Sequence, residues 1–213
     1  MIYRPDYMDA LKAFKDKPLI KILTGVRRCG KSTIFQMFKE ELIREGVSQD
    51  HIIEKRYTDM DIPESITAKQ MYEELAEDIG VKKHCYLLLD EIQEVPGWEK
   101  AINNLLEAGK ADIYITGSNS KLMSSEISTY LTGRYIQIPV FTLSYKEYLE
   151  FKKESDKSKT ELLEEYIRFG GFPIIALGEY ESQQAYQIVN GIYYTVVSRD
   201  IVKRHRINKQ DLF

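Results

Sequence analysis

The stretch Gly25-Val26-Arg27-Arg28-Cys29-Gly30-Lys31-Ser32 has the residue types and spacing to hold a chain of phosphates, since it fits G-x-x-x-x-G-K-[ST] at every fixed position. Gly25 and Gly30 let the backbone turn tightly and approach an anion with no side chain between, so that successive N–H groups converge on it. Lys31 would reach the β- and γ-phosphates as a point charge, and the Ser32 hydroxyl would ligate Mg²⁺. Thr33 completes the nucleotide-contacting candidates. An ordinary glycine-bearing turn would match the same pattern by accident. The flanks argue against accident: apolar Leu19 to Leu23 reads as a buried strand, and a helix from Lys31 to Arg44 would turn its amides and positive dipole end toward the same phosphates.

A second chemical group lies at Asp90-Glu91. The run Tyr86-Leu87-Leu88-Leu89 suits a parallel strand buried on both faces, and such strands open at their carboxyl ends on the ligand crevice. Asp90 would hold Mg²⁺ through a bound water, and Glu91 would take a proton from an attacking water. An acidic pair after a strand is commonly no more than a solvated helix cap; the preceding phosphate-binding motif is what favours catalysis here. A further strand, Asp112 to Thr116, ends in Gly117-Ser118-Asn119-Ser120, small polar residues placed to orient a water or touch a γ-phosphate, or simply to cap a helix. Arg134, at the entry to a fifth strand ending at Pro139, is a candidate for offsetting transition-state charge in its own subunit or a neighbour's. A surface ion pair is the competing role.

These groups need a scaffold that brings strand ends together. Length is 213 residues, enough for one sizeable core with a small appended subdomain. The content, 43% hydrophobic and 30% charged, is that of an ordinary globular protein, and a net charge of −3 gives no global attraction to nucleic acid or to an anionic membrane. With no signal-peptide pattern and no apolar run of membrane-spanning length, the expected compartment is the cytoplasm. Cys29 and Cys85 form no disulfide framework or zinc spacing, and His51, His84 and His205 have no metal-ligand spacing with acidic or cysteine partners.

Periodicity supplies the rest. Helices are expected at Tyr7 to Phe14, Thr67 to Asp78, Glu99 to Ala108, Tyr145 to Lys152, Glu161 to Phe169 and Ser182 to Arg204, with a strand at His51 to Tyr57 interrupted by Glu54-Lys55-Arg56. Gly170-Gly171-Phe172-Pro173 reads as a helix stop. The charged run from Lys152 to Thr160 marks the expected boundary between an α/β core, residues 1–152, and a smaller helical subdomain, residues 153–213.

On these residues the chain resembles P-loop ATPases of the AAA+/STAND group. More narrowly, it resembles the prokaryotic "AAA domain" ATPases whose longer members continue into a C-terminal domain of unsettled function. The resemblance rests on Leu-Thr-Gly-Val-Arg-Arg-Cys-Gly-Lys-Ser-Thr, Leu-Leu-Leu-Asp-Glu-Ile-Gln-Glu-Val-Pro-Gly-Trp-Glu, Ile-Thr-Gly-Ser-Asn-Ser, Leu-Thr-Gly-Arg-Tyr, Phe-Gly-Gly-Phe-Pro and Ser-Arg-Asp-Ile-Val-Lys-Arg. It implies a P-loop NTPase fold of the ASCE type, with a parallel five-stranded sheet of order 5-1-4-3-2 flanked by helices and a small C-terminal helical lid. It also implies ATP and Mg²⁺ as ligands, Asp90-Glu91 as Walker B, Ser118 and Asn119 as the sensor 1 region, and Gly171-x-Pro173 as a GxP-type element. The chain stops at Phe213, short of the longer members, which leaves the effector open. A conformational switch driven by ATP hydrolysis is the expectation, acting on an unknown protein partner or through self-association.

Three alternatives compete. Asn208-Lys209-Gln210-Asp211 spells the guanine-reading N-K-x-D, but it follows a charged helix end rather than a buried strand, and Gln93 stands where a D-x-x-G motif anchored on Asp90 needs glycine. Lys203, Arg204 and Arg206 form a small basic patch that would favour an ATPase acting on nucleic acid, against the simpler reading of a solvated helix end. The last is a module that binds ATP without hydrolysing it and uses the nucleotide only to fix the arrangement of its subdomains.

Overall fold

Buried apolar runs and parallel pairing build the sheet. In the computed structural model, which describes residues 2–63, 65–117, 122 and 130–197, five parallel strands run β1 (Ile20–Thr24), β2 (Ile52–Arg56), β3 (Cys85–Asp90), β4 (Ala111–Gly117) and β5 (Tyr135–Pro139). Their spatial order is β2-β3-β4-β1-β5, the expected 5-1-4-3-2 read from the other edge. Strands β1, β3 and β4 have neighbours on both sides, and every residue in them is buried. That is why they lack the apolar-polar alternation of a half-exposed strand. Registry places Thr24 beside Gly117 and Leu89 beside Ile115, so β1, β4 and β3 end along one carboxyl edge.

Two helices cover opposite faces of the sheet. Consecutive residues of β2 point to opposite sides. Glu54 pairs with Lys39 of α2 (Lys31–Arg44), whereas Lys55 pairs with Asp78 of α3 (Ala68–Ile79). Alternation along β4 repeats this: Tyr114 meets Phe38 of α2 with ring centroids 4.7 Å apart, while Ile113 and Ile115 join the core formed with α3 and α4 (Trp98–Ala108). Trp98 is buried in that core. The first helix, α1 (Pro5–Ala13), buries Met8 and Leu11. Thr67 caps α3 in a reciprocal box with Gln70, which explains why this polar helix starts where it does.

One charged pair breaks the apolar rule inside the sheet. Lys21 of β1 is fully buried and donates to Asp112 of β4, whose other oxygen accepts from the Asp16 amide and the Tyr114 hydroxyl, each at 2.8 Å. Burial pulls the Lys21 pKa below its ordinary value, against the hydrogen bond and charge of Asp112 and the charge of Asp16. Burial likewise raises that of Tyr114.

The chain groups into two compact units. One contains Pro5–Thr24 and Lys31–Pro139, hence the sheet; the other contains Met1–Arg4, Gly25–Gly30 and Val140–Phe213. The second unit is helical, with α5 (Tyr145–Phe151), α6 (Lys159–Phe169), α7 (Pro173–Leu177) and α8 (Ser182–Val196). Leu143, Tyr148, Leu162 and Ala176 form one of its cores, and Phe169, Ile175 and Ala185 another. Here the structure corrects the reading of Gly170 to Pro173 as a plain stop. Gly170 does end α6, but Pro173 then opens α7, where its missing N–H is no loss in a first turn and its fixed φ suits the helix. The expected continuation of α8 to Arg204 lies outside the described residues.

Candidate functional site

The glycine-rich loop, Gly25–Gly30, is held from within its own unit. Gly25 is buried, and a Cβ there would sit 2.3 Å from the Val140 carbonyl oxygen and 2.8 Å from Cys29 Sγ, so no larger residue fits without moving backbone. The Cys29 amide donates to the Val26 carbonyl at 3.4 Å, closing a turn around Arg27 and Arg28. Arg28 has φ 66° and Gly30 φ 102°. The first is a left-handed conformation that costs a side-chain-bearing residue about 1–2 kcal/mol; the second is one only glycine adopts freely. A Cβ on Gly30 would be 3.9 Å from Arg4 Nη1 and from Pro173 Cγ, so the Gly171-x-Pro173 element and the loop's last glycine are neighbours.

Arg4 is one of the residues that sequence reading missed. Its side chain is 3% exposed; Nε donates to Glu147 Oε1 at 2.7 Å, Nη1 to the Cys29 carbonyl at 3.2 Å and Nη2 to the Phe141 carbonyl at 3.2 Å. Glu147 in turn closes the capping box of α5, accepting from Ser144 N at 2.8 Å through Oε2. Burial acts to raise the Glu147 pKa, but hydrogen bonds from Arg4 and Ser144 and the Arg4 charge outweigh it and hold the carboxyl below its ordinary value.

Within the sheet-bearing unit, Lys31 opens α2 and is 4% exposed; Ser32 is half-buried and Thr33 exposed. Asp90 ends β3 and is 4% exposed. Its Oδ1 accepts from the Thr116 hydroxyl of β4, and its Oδ2 from Arg56 Nε of β2 at 3.2 Å. Glu91 follows in a left-handed conformation, φ 53° and ψ 42°, with its amide donating to Thr116 Oγ1 at 3.1 Å. Gln93 Nε2 donates to Glu91 Oε2. Thr116 therefore spans the acidic pair, giving its proton to Asp90 and accepting that of the Glu91 amide. A hydroxyl beside a carboxylate is a hard oxygen set of the kind Mg²⁺ takes, and Ser32 with Asp90 fit that requirement in type. Thr116 and Gln93 lie inside two of the stretches that carry the family resemblance, Ile-Thr-Gly-Ser-Asn-Ser and Leu-Leu-Leu-Asp-Glu-Ile-Gln-Glu, but the pattern assigns neither a role; nothing in it marks Arg56.

Other candidates fall elsewhere. Arg134 precedes β5, and its carbonyl accepts from the Ile20 amide at the start of β1, so it stands at the amino edge of the sheet, opposite the carboxyl edge that carries Asp90. Its side chain pairs with Glu107 and donates to Asn103 at 2.6 Å. Ser118 and Asn119 lie outside the described residues, as do Lys203, Arg204, Arg206 and the N-K-x-D segment at Asn208 to Asp211. A cavity of about 590 Å³ in the helical unit, lined by Tyr148, Lys152, Phe169 and Tyr180 among others, includes no residue of the glycine-rich motif. No helix among the described residues is long and apolar enough to cross a membrane.

A parallel sheet in the order 2-3-4-1-5, with the glycine-rich turn after β1 and an acidic pair at the end of β3, defines a P-loop α/β protein of the AAA+ type. The profile of a family described as "AAA domain" matches residues 17–149, and the chain belongs to that family. An uncharacterized protein of Haemophilus influenzae is 34% identical over 207 residues, covering 96% of this chain and 51% of its own length. The chain thus spans about half the length of the curated relatives it matches. Among solved structures, AMPPCP-bound DnaA from Aquifex aeolicus superposes with a TM-score of 0.53 at 14% identity, covering 97% of this chain and 64% of that one. The Aeropyrum pernix ORC1 protein in complex with DNA gives 0.54 at 12% identity, covering 93% and 67%. At such identities the likeness is one of fold. Fold and family are those of nucleotide-binding ATPases.

Proposed function

We propose that this chain binds ATP with Mg²⁺ and hydrolyses it, using the energy to switch the packing of its helical unit. The observation that carries the reading is the Thr116 bridge. One hydroxyl fixes Asp90 and the backbone of Glu91 at the carboxyl end of a buried strand, and a left-handed glutamate held this way stands in a conformation that an unconstrained chain would leave. The loop amides and Lys31 hold the phosphates, Ser32 and Asp90 hold the metal ion, and Arg27, Arg28 and Thr33 flank the anion. Bound Mg²⁺ would supply charge neutralisation on the phosphate oxygens. Glu91 takes a proton from the attacking water, with its carboxylate held by Gln93. Asn119 is assigned to orienting that water, and Arg134 a role only toward a neighbouring chain's nucleotide.

Two variants test this. Lys31→Ala should lose ATP binding measured by calorimetry, since the point charge on the β- and γ-phosphates is gone. Glu91→Gln should keep ATP binding and slow single-turnover hydrolysis by about 10²–10⁴-fold, the usual worth of a positioned base. Binding without any wild-type hydrolysis would leave the module that holds ATP for arrangement alone. Wild-type protein that retained no ATP would end the reading.

A further inference from the structure

We infer that Arg4, with Glu147 behind it, is a positioning residue for the phosphate loop, fixing the direction of the Cys29–Gly30 peptide. The inference rests on the ATP reading and deepens it. A trans peptide is planar, and its C=O and N–H point in opposite directions. The Cys29 carbonyl is held by Arg4 Nη1 at 3.2 Å, and the Arg4 side chain is 3% exposed. The Gly30 N–H, the other end of the same peptide, is therefore turned away from the interior, as a donor to an anion must be. The peptide needs such a hold. It joins Cys29 to Gly30, whose φ of 102° is open only to glycine and whose missing side chain leaves the peptide little hindered in rotation, so the loop alone does not fix its direction.

Arg4 can do this because its other donors are anchored. Nη2 is held by the Phe141 carbonyl at 3.2 Å, and Nε by Glu147 at 2.7 Å. A planar guanidinium with several fixed donors resists rotation in a way a lysine ammonium does not. Glu147 belongs to the first turn of α5, so the loop's amide direction and the seating of that helix share one carboxylate.

The test separates loop positioning from general stability. Pyrophosphate is the probe, because it contacts the loop and carries no base. Arg4→Met should weaken binding of pyrophosphate and of Mg·ATP by about 10–100-fold, the loss expected for one charge-assisted anchor. Arg4→Lys, which keeps the charge without the fork, should recover at most part of it. Glu147→Gln should weaken pyrophosphate by about threefold to tenfold through the neutral replacement of one anchor, and it keeps the question open to measurement should Arg4→Met fail to fold. Leu162→Ala, a cavity in the α5–α6 core that touches neither Arg4 nor the loop, serves as the control: it should lower the melting temperature and leave pyrophosphate affinity within about twofold. Wild-type affinity in Arg4→Met, or in Glu147→Gln where Arg4→Met does not fold, overturns this inference alone; so does an equal loss in Leu162→Ala. If the wild-type protein binds neither ligand, the ATP reading falls and takes the inference with it.

Discussion

Replacing Thr116 by valine keeps shape and removes one hydroxyl, so its effect can be worked from two bonds. Thr116 is fully buried and Asp90 is 4% exposed. Loss of the bond to the Asp90 carboxylate costs about 1.5–3 kcal/mol, as for hydrogen bonds to charged groups. The Glu91 amide loses its acceptor, worth about 1 kcal/mol because Glu91 is half-buried and water can reach it. Together these give a destabilisation of about 3 kcal/mol, read by urea unfolding. Function should suffer separately. The left-handed conformation of Glu91, itself about 1–2 kcal/mol uphill, loses its anchor and relaxes. The carboxylate then leaves its position, and turnover followed by phosphate release should fall about 10–100-fold, part of the roughly 10²–10⁴-fold that a positioned base supplies. ATP affinity should fall much less than turnover. Thr116→Ser, which keeps the hydroxyl, should restore most of the rate. Full turnover in Thr116→Val, or a loss of ATP affinity as large as the loss of rate, would refute the bridge as the organiser of the acidic pair.

Three further outcomes are expected. Asp112→Asn should destabilise by about 3–5 kcal/mol at pH 7, because it leaves buried Lys21 without its counter-charge. Lys21 has a depressed pKa in the folded chain, so between that value and the ordinary 10.5 the unfolded chain binds more protons and stability rises with pH, by at most about 1.4 kcal/mol per unit. Removing Asp112 extends that window to lower pH, and the variant's deficit in urea melts should narrow from pH 7 toward pH 10. Gly25→Ala should place a methyl against the Val140 carbonyl, displacing the loop at a cost of about 1–3 kcal/mol and lowering ATP affinity in calorimetry by more than about tenfold. Arg134→Gln breaks an exposed ion pair with Glu107; thermal melting should be unchanged, and any loss of turnover should grow with protein concentration, as a role toward a neighbouring chain requires.

The parts of the molecule set by local pattern were legible. Strands β1, β3 and β4 are buried along their whole length because they have strand neighbours on both sides and helices over both faces, so they read as apolar runs interrupted inside the sheet only by the paired Lys21 and Asp112, and α2 begins at Lys31 where the motif demands. The order of the sheet came from resemblance, since periodicity says nothing about which strands adjoin. What stayed hidden depends on contacts between distant positions. Arg4 looks like one more surface arginine until Glu147, 143 residues away, appears beside it. Thr116 looks like the end of a strand until β3 is laid alongside with Asp90 near it. Arg56 belongs to a charged trio that argues against a strand, yet its pairing with Asp90 explains why a charge stands at that strand end. Pro173 was read for the helix it ends and not for the one it begins.

The outer strand β2 has a consequence for how copies of this chain can meet. An incoming strand that extended the sheet there would lie beside Glu54 and Lys55, which lean to opposite sides and are tied to Lys39 and Asp78. Crowding those tethered charges would strip water from them and disturb helices on both faces, a deterrent of the kind that protects open sheet margins from adhesion. Strand-to-strand fusion through that margin is thereby discouraged, and any assembly is steered toward surfaces that carry no such guard.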